Sequence, residues 1–132
     1  MKRKILFRGK AKDTGEWVYG DLSSHMDGKP FIGTWVQSTT DCLYRSTQVD
    51  PDTVGQFTGL HDKHGNPIFE GDIVLKRTYG GKSYCSVRFD GGMFHCGYGG
   101  GSSTPTHRYT LEDKRIEVVG NIYDNQELME TQ

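Results

Sequence analysis

Cys85-Ser86-Val87-Arg88-Phe89-Asp90-Gly91-Gly92-Met93-Phe94 alternates apolar and polar side chains, then bends at Asp-Gly-Gly before apolar residues resume. A period of two places Val87 and Phe89 on one face of a strand and Ser86 and Arg88 on the other, as a half-exposed sheet requires. Upstream, Asp72-Ile73-Val74-Leu75-Lys76-Arg77 is a second strand, separated from the first by a loop at Gly80-Gly81. Strands this close, joined by glycine bends, predict antiparallel pairing.

The same pattern extends in both directions. Ile5 to Phe7 and Trp17-Val18-Tyr19 flank the turn-forming Lys12-Asp13-Thr14-Gly15, and Leu22 and Phe31 to Val36 flank Asp27-Gly28-Lys29-Pro30, so each set reads as a hairpin. Gln37 to Ser46 is polar and fits neither period. Asp50-Pro51 signals a short helix start, because Asp50 can cap free amides and Pro51 sacrifices no hydrogen bond at the first position. Phe57 to Leu60 and Ile68-Phe69 read as strands around the tight turn Asp62-Lys63-His64-Gly65-Asn66. Gly97 to Pro105 reads as a flexible loop, Ile116 to Tyr123 as a last strand, and Asp124-Asn125 as the cap of a short helix through Leu128.

The expectation is a mainly β fold: an antiparallel, partly closed, barrel-like sheet after Gly71 with two short helices, near Pro51 and Leu128. Its core is expected from Ile5, Phe7, Trp17, Tyr19, Leu60, Ile73, Val87, Phe89, Val119 and Ile122. At 132 residues the chain is expected to form a single domain spanning 1–132, and its 18 Gly, 7 Tyr, 6 Phe and 2 Trp favour short strands over long helices. Lys and Arg number 16 against 17 Asp and Glu, so no overall field draws the chain to nucleic acid or an anionic membrane. The apolar run after the basic start is only Ile5-Leu6-Phe7, too short for a signal peptide or membrane span, which predicts a cytoplasmic protein with no membrane partner. Cys42, Cys85 and Cys96 form an odd set without close pairs, and free thiols are expected, although a Cys85–Cys96 bridge across neighbouring strands is geometrically open.

Val49-Asp50-Pro51-Asp52-Thr53-Val54-Gly55-Gln56-Phe57-Thr58-Gly59-Leu60, followed by Asp62-Lys63-His64-Gly65-Asn66-Pro67-Ile68-Phe69-Glu70-Gly71-Asp72-Ile73-Val74, closely resembles the hallmark of the YopX family of phage and prophage proteins. Lys4 to Lys10 with Trp17 to Gly20, and Val118 to Asn125 with Glu127-Leu128, resemble that family's two ends. The chain departs from the pattern at Gln126, where a proline often stands, and in the glycine-rich Gly97 to Ser103. The resemblance implies a mainly β, phage-encoded protein made inside an infected bacterium. It brings no activity, cofactor or catalytic residue to carry over.

The local motifs have plain structural readings. Gly80-Gly81-Lys82-Ser83 matches the end of a phosphate-binding loop, but Lys76 stands where the leading glycine belongs and strands flank it, so a turn is expected. Asp62, Asn66, Glu70 and Asp72 miss calcium-loop spacing, and the expected arrangement has Gly65 at positive φ and Asp62 bonding local amides. Cys85, His95, Cys96 and His107 lack a paired metal-ligand spacing, and no convergent catalytic set stands out, so no metal, cofactor or enzymatic activity is expected. The favoured reading is a non-enzymatic accessory protein that binds a host or phage protein through an exposed strand edge or loop, with self-assembly open to it. The alternative is a single-stranded nucleic-acid-binding small β-barrel using Arg77, Tyr79, Arg88, Arg108 and Tyr109, whose rings would stack on bases while the cations track phosphates.

Overall fold

The computed structural model describes residues 2–78, 80–98, 107–109 and 115–130. The chain forms two compact units, Met1–Phe57 and Thr58–Gln132.

In the first unit, β1 (Phe7–Lys10) pairs antiparallel with β2 (Trp17–Ser24), which pairs with β3 (Pro30–Gln37), which pairs with β4 (Cys42–Gln48). The start of β5 (Gly55–His61) lies on the other side of β1, with Phe7 opposite Gln56. The glycines at the bends do what turn chemistry predicts: Gly15 and Gly28 take φ of 73° and 80°, which costs a residue without Cβ little. An isolated bridge between Ala11 and Val49 ties the end of β4 toward the end of β1. Asp50 caps Pro51–Thr53 by accepting the Asp52 N–H at 3.0 Å, as its side chain allows, but the element is one 3-10 turn and not an α-helix. Val54 ends it, and Gly55 already belongs to β5.

In the second unit, β6 (Pro67–Phe69) runs beside the rest of β5, joined through the Thr58 hydroxyl donating to the Ile68 carbonyl at 2.8 Å. A separate ladder has the order β10-β9-β8-β7-β11, from β7 (Asp72–Thr78), β8 (Gly81–Asp90), β9 (Met93–Tyr98), β10 (His107–Tyr109) and β11 (Ile116–Asn121). The expected strand pair around Gly80 is therefore present, and Lys82 and Ser83 lie within β8. The expectation of a single barrel-like sheet is corrected: among the described residues the strands form open ladders, with β10 and β11 standing at the two ends of this one. The terminal helix α1 (Glu127–Glu130) is a single turn.

Ile68, Val74, Cys85, Val87, Cys96 and Ile116 form the core of this unit, with Leu60, Phe94 and Val118 packed against it. Register explains the set: Val74 faces Cys85 and Val118, and Val87 faces Cys96, so all share one side of the ladder. Ile73 and Val87 are buried as expected, but Ile5, Tyr19, Phe89 and Val119 are exposed. Phe89 shares the face of Val87 yet lies at the turn end of the β8–β9 hairpin, where its ring meets Phe94 edge-on at 4.9 Å.

Asp62 fixes the β5–β6 turn. Its carboxylate accepts the N–H groups of His64 (2.9 Å), Asn66 (2.8 Å) and Val118 (2.9 Å) and the Asn66 side-chain amide (3.2 Å), while Gly65 takes φ 85°. Burial opposes the charged form, but the donors outweigh it and hold the Asp62 carboxyl below its ordinary value.

Candidate functional site: an exposed aromatic face on β2, β3 and β4

Tyr19 and Asp21 on β2, Gly33 and Trp35 on β3 and Tyr44 on β4 occupy positions on one face of the first unit. Asp21 stands opposite Gly33 and Trp35 opposite Tyr44, and alternation carries the rest. Tyr44 lies across Gly33 and donates its hydroxyl to Asp21 Oδ2 at 3.4 Å, two strands away. Only glycine leaves room for this, since a Cβ at position 33 would fall on the Tyr44 ring. Trp35 meets Tyr44 edge-to-face, with ring centroids 5.2 Å apart at 64°. The rings are held in place by neighbours and remain open to solvent: Trp35 is 67% exposed, and Tyr19 and Tyr44 are each 46% exposed. Partial desolvation and the adjacent Asp21 carboxylate push the Tyr44 hydroxyl above its ordinary value, so it stays a hydrogen-bond donor at neutral pH.

Toward β1 the same side of the sheet is covered: Arg8 is buried and Trp17 half-buried, with the Arg8 guanidinium 4.6 Å and the Lys10 ammonium 5.5 Å from the centre of the Trp17 ring. Trp, Tyr and Arg are the residue types that dominate the energetics of protein interfaces, because rigid amphipathic rings bury much area for little lost entropy. On the opposite side of the same strands Leu22, Val36 and Leu43 are also exposed. Large apolar side chains are thus exposed on both faces of this sheet region.

The residues of the nucleic-acid reading belong to the second unit. Arg77 on β7 is exposed and stands opposite Lys82, whereas Arg88 lies about 20 Å further along β8, where its Nε donates to Ser86 Oγ at 3.0 Å. Arg108 stands opposite Gly97 and Tyr109 opposite Cys96 on β10, and Tyr79 lies outside the described residues. The face built from exposed rings is thus in the other unit, on residues that sequence reasoning missed or, for Tyr19, assigned to the core.

Cys85, Cys96 and His95 are buried in the second unit. Cys85 and Cys96 are free thiols inside the core, and the hydrogen bond from Cys96, helped by the Lys76 charge, holds the Cys85 thiol below its ordinary value despite burial. His95 points to the opposite side of β9 from Cys96. Its ring is 1% exposed, with Nε2 2.6 Å from Asp90 Oδ1 and Nδ1 buried without a hydrogen bond. Among the described residues no group of three His, Cys, Asp or Glu side chains could hold a metal ion, and no helix is long and apolar enough to cross a membrane.

The YopX protein family matches residues 6–130, a span that covers both units and nearly the whole sequence. The chain belongs to the YopX family. The crystal structure of protein EF1440 from Enterococcus faecalis has a similar fold, with a TM-score of 0.57 and 21% identity over 97% of this chain and 99% of that one. No curated protein matches this YopX-family chain.

Proposed function

We propose that this YopX-family protein is a phage- or prophage-encoded accessory protein of the bacterial cytoplasm that acts without catalysis, by binding a host or phage protein on the aromatic face of β2, β3 and β4. The observation that carries the reading is the solvent-facing Trp35–Tyr44 pair, set in place over Gly33 and tied to Asp21. Rings exposed to this degree gain from burial against a protein, and a positioned pair loses little rotamer freedom on binding. A protein partner fits better than nucleic acid because the face carries the Asp21 carboxylate, while its cations Arg8 and Lys10 already lie over Trp17.

The test is affinity capture from the producing bacterium with the intact chain and with Trp35→Ala and Tyr44→Ala. A protein recovered at stoichiometric level, resistant to nuclease, and weakened by about 30-fold in each variant supports the reading, because truncation of an interface hot spot costs about 2 kcal/mol or more. Equal recovery by all three chains, or recovery of nucleic acid in a salt-dependent manner, refutes it.

A further inference from the structure

We propose that β4 is a self-association edge, on which a second copy of this chain adds its own β4 antiparallel across a two-fold axis at Leu43. The inference goes beyond the binding reading above, and its readout needs only the purified chain, so the two can fail separately.

The direction of the main-chain groups follows from the hydrogen bonds. Val49 donates its N–H to the Pro30 carbonyl at 3.2 Å, which turns residue 49 toward β3, and alternation turns residues 47, 45 and 43 the same way. Gln48 then points to the far side, as its carbonyl confirms by accepting the Lys12 N–H at 2.9 Å. The main-chain groups of Cys42, Tyr44 and Ser46 share that direction, and among the described residues no strand pairs with them there, the end of β1 reaching this side of the chain only at Gln48 and beyond.

Sheet edges are ordinarily protected against such pairing by shortness, proline, bulges or charge. The other ladder ends carry these devices: β6 has three residues and begins at Pro67, β10 has three residues, and β11 shifts register between Val118 and Gly120. The seven residues of β4 contain no proline, glycine or bulge, and Arg45 is their sole charge. Leu43 is 62% exposed.

The sequence around the edge selects the register. A two-fold axis through Tyr44 would oppose Leu43 to Arg45, and one through Arg45 would oppose two arginines. An axis through Leu43 sets Leu43 against Leu43, brings the outward groups of Cys42 to those of Tyr44, and sets Asp41 against Arg45 on both sides. Asp41 and Arg45 are exposed, and Asp41 enters the strand from a loop closed by Ser38 donating its N–H to the Asp41 carbonyl at 2.7 Å. Cross-strand pairs of opposite charge stabilise a register, and like charges oppose it. This operator keeps each side chain on its own side of the joined sheet, so the aromatic faces of the two copies adjoin.

The experiment combines sedimentation equilibrium of the full chain with disulfide trapping. The unsubstituted chain is expected to dimerise, Asp41→Arg to raise the dissociation constant about tenfold or more, and Asp41→Arg with Arg45→Asp to restore it. In a Cys42→Ser background, Leu43→Cys treated with diamide is expected to give a disulfide-linked dimer, since paired residues at such a position lie about 4.5 Å apart between Cα atoms, within disulfide reach. Arg45→Cys in the same background is expected to remain unlinked. A chain that is monomeric at all concentrations, a dimer indifferent to Asp41→Arg, or Leu43→Cys that does not cross-link each overturns the proposal.

Discussion

Replacing Asp62 with alanine removes four hydrogen bonds at once and separates two segments that lie far apart in sequence, because Val118 of β11 is among the donors. The donors differ in what they lose. The half-buried Val118 amide has little access to water, and leaving it unpaired costs about 2 kcal/mol, whereas the exposed turn amides of His64 and Asn66 recover solvent and cost about 0.5–1 kcal/mol each. The total is about 3–4 kcal/mol, which for a chain of this size lowers the melting temperature by about 10–16 °C. Asp62→Asn retains one acceptor oxygen and is expected to lose about half as much. Thermal melts followed by circular dichroism at neutral pH measure both variants. The carboxyl also sets a pH dependence: its folded value lies below the unfolded one near 4, so its stabilisation is present above about pH 4 and disappears as the pH falls through the folded value. The Asp62→Asn chain should therefore show less acid sensitivity than the parent. A melting temperature for Asp62→Ala within about 2 °C of the parent would refute this assignment of the turn's stability.

Three further outcomes follow from the packing. Native protein should react with a small thiol reagent at Cys42 alone, with Cys85 and Cys96 reacting only after denaturation; labelling followed by peptide mass analysis checks this, and native labelling of either core thiol counts against the burial described. Ile73→Asp should abolish soluble expression, because an unpaired carboxylate would replace a fully buried side chain on β7, and normal yield of a folded variant would contradict that placement. Gly33→Ala should displace the Tyr44 ring and return its hydroxyl toward ordinary titration while the fold persists, and ultraviolet titration of the tyrosines reads the change; an unaltered profile would mean that Tyr44 does not lie on Gly33.

Turns were the most legible part of the sequence. Asp27-Gly28, Asp62 to Asn66 and Asp90-Gly91-Gly92 each carry the backbone freedom and side-chain acceptors that a bend demands, so the hairpins around them could be read locally. The Asp50 cap and a stop after about one turn were also legible, but not that the turn would be 3-10. Burial was harder to read. Alternation shows that Val87 and Phe89 share a face, but not where the covering layer ends, and the same limit put Tyr19 and Val119 in an expected core from which the fold excludes them. Strand β4 was the least visible, since Cys42-Leu43-Tyr44-Arg45-Ser46-Thr47-Gln48 lies beside a polar loop and gains its identity from pairing with β3. The candidate site depends on that pairing: Tyr44 meets Trp35 and Gly33 only when β4 lies in register beside β3, so the aromatic face could not be assembled from sequence spacing.

Protein binding at the Trp35–Tyr44 face is the central proposal. A photo-crosslinking residue substituted at Gln37, on the same face beside the pair, measures this directly in the producing bacterium. The account predicts one predominant protein adduct, formed at Gln37 but lost when Trp35→Ala is added and absent when the probe is moved to Arg77. No adduct at Gln37, or an adduct that persists with Trp35→Ala, would contradict it.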